Sequence, residues 1–150
     1  MGHSFTCLTT HVVFSTDHRK DLITPEISGR LYEYIGGILR AESCSLIAAG
    51  GMKDHSHLLI RVHPSKAVAD LVRVVKSRSS GWIHDTFPKS KAFAWQTGYG
   101  AFDVSFSAIE EVKGYIAKQE EHHKKMDFKQ EYVAFLDRHK IEYDPRYLWD

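Results

Sequence analysis

The first residues able to do chemistry in this 150-residue chain are two imidazoles one residue apart, in Asp54-His55-Ser56-His57. In a strand, residues i and i+2 point to the same face, so His55 and His57 project side by side and can share one divalent ion. The chain has ten histidines, so the pair also fits a plainer role, two polar rings meeting solvent. A second group lies in Glu111-Val112-Lys113-Gly114-Tyr115-Ile116-Ala117-Lys118-Gln119. Tyr115 and Gln119 stand four residues apart, which makes them neighbours on one helix surface, with Glu111 a turn before and His122 a turn beyond. A phenol beside a carboxamide can combine nucleophile and metal ligand on one support. Equally, Tyr115 can pack with Val112 and Ile116 as a core aromatic. Tyr32 and Tyr34 read as packing residues of an earlier helix, and Tyr132, Tyr143 and Tyr147 lack a nearby ligand pattern.

These side chains need elements to hold them. Phe5 to Ser15, rich in Thr, Val and Phe, reads as a first strand. Thr24-Pro25-Glu26 reads as a helix start, with a capping hydroxyl, a proline in the first turn and an acid at the positive end. Ile27, Leu31, Ile35 and Leu39 then recur at helical spacing, which predicts a helix to about Glu42. Cys44 to Ala49 reads as a second strand, Gly50-Gly51 as a turn, and His55 to Val62 as a third strand stopped by Pro64. A second amphipathic helix is expected from about Lys66 to Thr86. Phe93 to Gln96 and Ala101 to Val104 look like strand pieces. Ser107-Ala108-Ile109-Glu110 fits a capping box opening a helix to about Lys124, and Phe128 to Lys140 suggests one more helix. The order β-α-β-β-α-β predicts an α+β, ferredoxin-like split βαβ sandwich with helices added at its C-terminal end.

Bulk composition narrows the function classes. One domain spanning 1–150 is expected, with 43% hydrophobic and 26% charged residues, as in an ordinary globule. Cys7 and Cys44 form no CxxC spacing, which suits a reducing cytoplasm. No apolar run reaches membrane-spanning length, and no secretory signal opens the chain. Net charge is only +1, from 20 Lys and Arg against 19 Asp and Glu, so any nucleic-acid contact must come from a local patch. Arg73, Lys76, Ser77 and Ser80 fall away from the apolar stripe of the second helix, with Arg78 at its edge, and Lys124 and Lys125 offer further phosphate contacts.

Three motifs in order resemble the HUH-type single-tyrosine transposases of small bacterial insertion sequences. They are His11-Val12-Val13-Phe14-Ser15-Thr16, Asp54-His55-Ser56-His57-Leu58-Leu59-Ile60, and Tyr115-Ile116-Ala117-Lys118-Gln119-Glu120-Glu121-His122-His123. Trp95-Gln96-Thr97-Gly98-Tyr99-Gly100 and Tyr147-Leu148-Trp149 extend the likeness through nearly the whole chain. The resemblance implies His55, His57 and Gln119 as ligands of Mg²⁺ or Mn²⁺, and Tyr115 as nucleophile. It also implies single-stranded, hairpin-bearing DNA as substrate and a homodimer with shared active sites. In two places this sequence departs from the pattern. Ser56 replaces a bulky apolar residue between the histidines, and its side chain should point to the opposite sheet face. Lys118 stands where relatives often have Asn, so that a cation adjoins Gln119.

The chemistry implied is displacement at phosphorus, giving a 5′-phosphotyrosine and a free 3′-hydroxyl. No nucleotide cofactor is needed, because the phosphodiester energy stays in the covalent link, and no phosphate-cradling G-x-x-x-x-G-K-[ST] loop is present. Two other readings are a non-catalytic nucleic-acid-binding module and a metal-dependent phosphodiesterase that uses water in place of Tyr115.

Overall fold

The structure is a computed structural model describing residues 2–149. Strand β1 spans Thr9–Ser15, β2 Ser45–Gly51, β3 His55–Arg61 and β4 Gly100–Asp103. They form one antiparallel sheet in the order β2-β3-β1-β4. Helix α1 (Pro25–Ala41) carries the chain from β1 to β2, and β3 fills the gap between them, which makes the unit a split βαβ. Helix α2 (Val68–Thr86) then leads to β4. The expected ferredoxin-like sandwich is therefore the observed fold. Helices α3 (Ile109–Ala117), α4 (Gln119–His122) and α5 (Phe128–Arg138) follow it.

Alternation along the strands gives the two sheet faces different jobs. Val12, Phe14, Leu58 and Ile60 pack with Ile27, Leu31, Ile35, Leu71 and Val75 of α1 and α2, the main apolar core. The other face carries Leu59 against Ile109 and Ile116 of α3, and Val13 and Phe102 against Phe128, Tyr132 and Phe135 of α5. His55 and His57 belong to this second face, as does His11. Ser56, between them, points the other way and shares a 3.0 Å hydrogen bond with the Tyr32 hydroxyl. A polar residue at that position is thus satisfied from α1, and burial pushes the Tyr32 phenol up to about 12 despite the bond.

Local signals account for most boundaries. Thr24 Oγ1 accepts the Ile27 amide at 3.3 Å, with Pro25 in the first turn of α1. Several expectations need correction. The first strand starts at Thr9 rather than Phe5, because residues 2–8 run exposed without a partner strand. Gly50 and Gly51 lie in β2, paired with His57 and Ser56, and the turn falls at residues 52–54. Phe93 to Gln96 is not a strand and makes only a single bridge between Trp95 and Thr16. The Ser107 capping box is absent. A 3₁₀ turn at Phe106–Ala108 precedes α3, and the Ser107 hydroxyl bonds Ser105 instead. The box that does form belongs to α5, where Asp127 and Gln130 cap one another reciprocally.

Gly50 explains why α3 lies so close to the sheet. A Cβ there would sit 3.1 Å from the Ile116 carbonyl and 3.2 Å from its Cγ2. Because Gly50 pairs with His57 across the strands, that bare spot lets the residue before Ile116, Tyr115, come down beside the imidazole. Gly50→Ala is expected to lift α3, costing about 1–3 kcal/mol of stability as an overpacked contact. Chemical denaturation measures that loss, and an increased quench of Tyr115-region fluorescence by iodide would report the displaced helix.

Candidate active site

The buried second face of the sheet collects a polar cluster from four parts of the chain. His55 and His57 of β3 are fully buried, and their Nε2 atoms lie 3.4 and 3.0 Å from Oε1 of Glu131 on α5. Gln119, at the start of α4, sets its Oε1 3.1 Å from His55 Nε2 and 3.1 Å from His123 Nε2. His123 Nε2 is itself 3.3 Å from Glu131 Oε1. The Tyr115 hydroxyl donates a short hydrogen bond to Oε2 of Glu131. One carboxylate thus bridges the histidine pair and the phenol.

The remote ring nitrogens are also held. His55 Nδ1 lies 2.7 Å from Asp54 Oδ1, and His57 Nδ1 lies 2.9 Å from Nε2 of buried His11. With an ion bound, a ligand histidine of this kind would carry its proton on the tethered nitrogen and offer the other lone pair to the ion. Both Nε2 atoms converge on the same side, so the donor set suits a divalent ion. His122 stacks on the Tyr115 ring with centroids 4.3 Å apart, and its buried Nε2 has no partner among the described residues.

Electrostatics differ sharply within this cluster. Burial pulls the His55 ring down, but its bonds to Asp54 and Glu131 outweigh that and raise it to about 9. For His57 burial wins over Glu131, and the ring is held neutral below its ordinary value. Burial raises the Tyr115 phenol well above the usual range, and the Glu131 charge adds to the effect. Glu131 runs the other way. Burial alone would raise it, yet the hydrogen bonds from His55, His57 and Tyr115 hold it far below a normal carboxyl.

His11 is pulled down to about 3 by burial and by neighbouring His57. Unfolded, it takes a proton near pH 6.5; folded, it does not until about 3. Its stabilising share is therefore intact above 6.5 and declines as pH falls through that window, at up to about 1.4 kcal/mol per pH unit. Thermal melts of the metal-free protein at pH 7 and pH 5 should show the drop, and His11→Asn should flatten it.

The structure brings Tyr115, His55, His57 and Gln119 together within one chain. The expected continuous helix to Lys124 is broken at Lys118, whose backbone leaves helical geometry between Tyr115 and Gln119. Gln119 still reaches back, its Nε2 lying 3.4 Å from the Tyr115 carbonyl. Glu131 was missed by sequence reasoning, and so were the contacts of His11 and His123. Lys118, Lys124 and Lys125 are exposed near this site. The α2 cations lie across the sheet from it. Arg73 is exposed and paired with Asp70 at 3.4 Å, while Arg78 lines a cleft of about 510 Å³ with Arg30 and Arg40. Lys76 is spent on the chain itself, donating to the carbonyls of Gln96, Thr97 and Gly98 at 2.8, 3.4 and 2.6 Å. Burial draws it down to about 8. No described helix is long and apolar enough to cross a membrane.

Residues 4–119 match the family profile "Transposase IS200 like". The chain belongs to the IS200-like transposase family. It is similar to the ISDra2 transposase TnpA of Deinococcus radiodurans, with 24% identity over 117 residues, covering 75% of this chain and 84% of that protein. A solved transposase from Deinococcus radiodurans R1 superposes with a TM-score of 0.62 at 22% identity, covering 79% of this chain and 96% of the other. A REP-associated tyrosine transposase bound to a REP hairpin superposes with a TM-score of 0.59 at 15% identity, covering 82% and 72%. At these identities the two superpositions establish a shared fold.

Proposed function

We propose that this IS200-like transposase cleaves and rejoins single-stranded DNA, with Tyr115 as the nucleophile and His55, His57 and Gln119 as ligands of Mg²⁺ or Mn²⁺. The observation that carries the reading is that the Tyr115 hydroxyl and the histidine pair meet on one buried carboxylate, Glu131, with Gln119 Oε1 on the His55 ring beside them. When bound, the ion supplies a Lewis acid for the scissile phosphate. The chain does the rest. Tethers at Asp54 and His11 fix both imidazoles, Glu131 fixes the phenol, and His122 stacks on the Tyr115 ring.

Tyr115 Oη forms a bond to phosphorus while the bond from phosphorus to the 3′ oxygen breaks. The proton lost from the phenol is matched by the one the 3′-hydroxyl gains. Attack by a 3′-hydroxyl reverses the linkage, so strands are exchanged without a nucleotide cofactor. In the arrangement described, burial and Glu131 keep the phenol protonated, which is the resting form expected before DNA arrives.

Hairpin-bearing DNA is the proposed substrate, since a structural neighbour is bound to a REP hairpin. Arg73 and Arg78 on α2, with Lys118, Lys124 and Lys125, are its proposed phosphate contacts, and Lys76 shapes the loop before β4. The chain acts as one endonuclease domain in the cytoplasm. A homodimer with shared sites belongs to the same reading, α3 of one protomer taking the place that its own chain's helix fills here. The test is incubation with Mn²⁺ and a hairpin-bearing single strand, followed by a denaturing gel and peptide mapping. A DNA-linked peptide containing Tyr115 supports the reading. Cleavage without any protein–DNA adduct would instead indicate a water-using phosphodiesterase, and binding without cleavage a non-catalytic module.

A further inference from the structure

We propose that His123 and Glu131 are two additional ligands of the same ion, so that this chain selects a borderline transition metal of the Zn²⁺ type over Mg²⁺. The proposal rests on the metal reading of the histidine pair given above. It goes beyond the matched family profile, which covers residues 4–119, because both added ligands lie past its end.

The geometry is that of a ligand shell. One ligating atom each from His55, His57, His123 and Glu131 lies within 4.8 Å of all the others. The three Nε2 atoms are 3.4, 3.0 and 3.3 Å from Glu131 Oε1. Bonds of roughly 2.0–2.2 Å in a tetrahedral arrangement set neighbouring ligand atoms roughly 3.3–3.6 Å apart, close to these separations. The side chains are 0%, 0%, 8% and 1% exposed, so the shell is shielded from water.

Charge points the same way. Glu131 is a carboxylate in the interior, and among the described residues no lysine or arginine pairs with it. A buried anion facing three imidazoles needs a compensating cation, and a divalent ion would serve there in place of a protonated ring. Three nitrogens and one carboxylate oxygen form a set that favours zinc or cobalt, whereas magnesium asks for six oxygens. The ligands also hold their places without an ion. Glu131 stands in the first turn of α5, capped by Asp127 and Gln130 and anchored by Phe128, Tyr132 and Phe135. Gln119 Oε1, 3.1 Å from two of the imidazole nitrogens, gives a fifth donor, and zinc can expand to five-coordination.

The experiment is metal binding to chelator-stripped full-length protein, measured for Zn²⁺ and Mg²⁺ by calorimetry with a competing chelator, alongside the visible spectrum of the Co²⁺ form. Wild type is expected to hold Zn²⁺ far more tightly than Mg²⁺ and to give the intense d–d bands of four- or five-coordinate Co²⁺. Glu131→Gln and His123→Ala should each weaken Zn²⁺ by about tenfold or more. If Glu131→Gln does not fold, as judged by circular dichroism, His123→Ala and the wild-type cobalt spectrum decide. Wild-type Zn²⁺ affinity in both variants, with binding lost in His55→Ala, would overturn the proposal and leave the histidine-pair reading intact. A pale six-coordinate cobalt spectrum would also overturn it. Wild type that binds neither metal would remove both.

Discussion

Tyr115→Phe abolishes the covalent protein–DNA adduct and lowers strand cleavage by about three orders of magnitude or more, the scale at which nucleophile loss acts in covalent catalysis. The substitution takes away one oxygen and little else. The ring keeps its stack with His122 at 4.3 Å and its edge contact with Phe135 at 5.8 Å. Glu131 loses the phenol but retains His57, His55 and His123 around its other oxygen. One missing hydrogen bond on a buried carboxylate costs about 1–3 kcal/mol, which a melt will register without unfolding the protein. Activity and stability therefore separate in this variant. An adduct that forms as fast with Phe at this position would show that another nucleophile is at work. Metal binding measured in parallel should be unchanged, because the phenol contributes no proposed ligand atom.

What the sequence could disclose depended on whether the relevant residues were close together along the chain. His55 and His57 share a strand face by a period of two, so their convergence was readable from two residues and a strand assignment. The same period correctly sends Ser56 to the opposite face, where only the fold supplies its partner, Tyr32. The helix carrying Tyr115 was expected from a Ser107 capping box that does not form, and its break at Lys118 was not expected. That break is a backbone event at Lys118, a residue that is no helix breaker by composition.

Glu131 lies 74 residues from His57, so no local spacing links them. A signal for it did exist. Phe128, Tyr132, Phe135 and Leu136 define the buried stripe of α5, and Glu131 sits on that stripe, fully inside. A charged residue on the apolar side of an amphipathic helix demands a buried partner, and the strand face carrying His55 and His57 was already in view. The same logic applies to His11, on the strand face opposite Val12 and Phe14.

His57→Ala should be the most damaging single change at the site, because His57 serves both the fold and the ion. In the metal-free protein it is fully buried between His11 on one side and Glu131 on the other, at 2.9 and 3.0 Å. Burial holds the ring neutral while its neighbours hold Glu131 ionised, so the contact is a neutral donor on a buried carboxylate. Alanine leaves a ring-sized cavity, strips His11 of its partner and leaves Glu131 with one fewer donor. The unmade hydrogen bond costs about 1–3 kcal/mol and the cavity adds to it, so denaturant unfolding without metal should show a larger loss than Tyr115→Phe. The second effect is on the ion. Wild type should gain about 2.7 kcal/mol at one hundred times the dissociation constant, since binding favours only the folded chain. In the alanine variant that gain should vanish under the same conditions. His57→Gln separates the two roles, since its amide can restore a donor to Glu131 without supplying an imidazole. A variant that recovers stability but not the metal-dependent rise in melting temperature would assign His57 to both. Recovery of the metal-dependent rise as well would show that a carboxamide oxygen can stand in for the imidazole, as Gln119 is proposed to do.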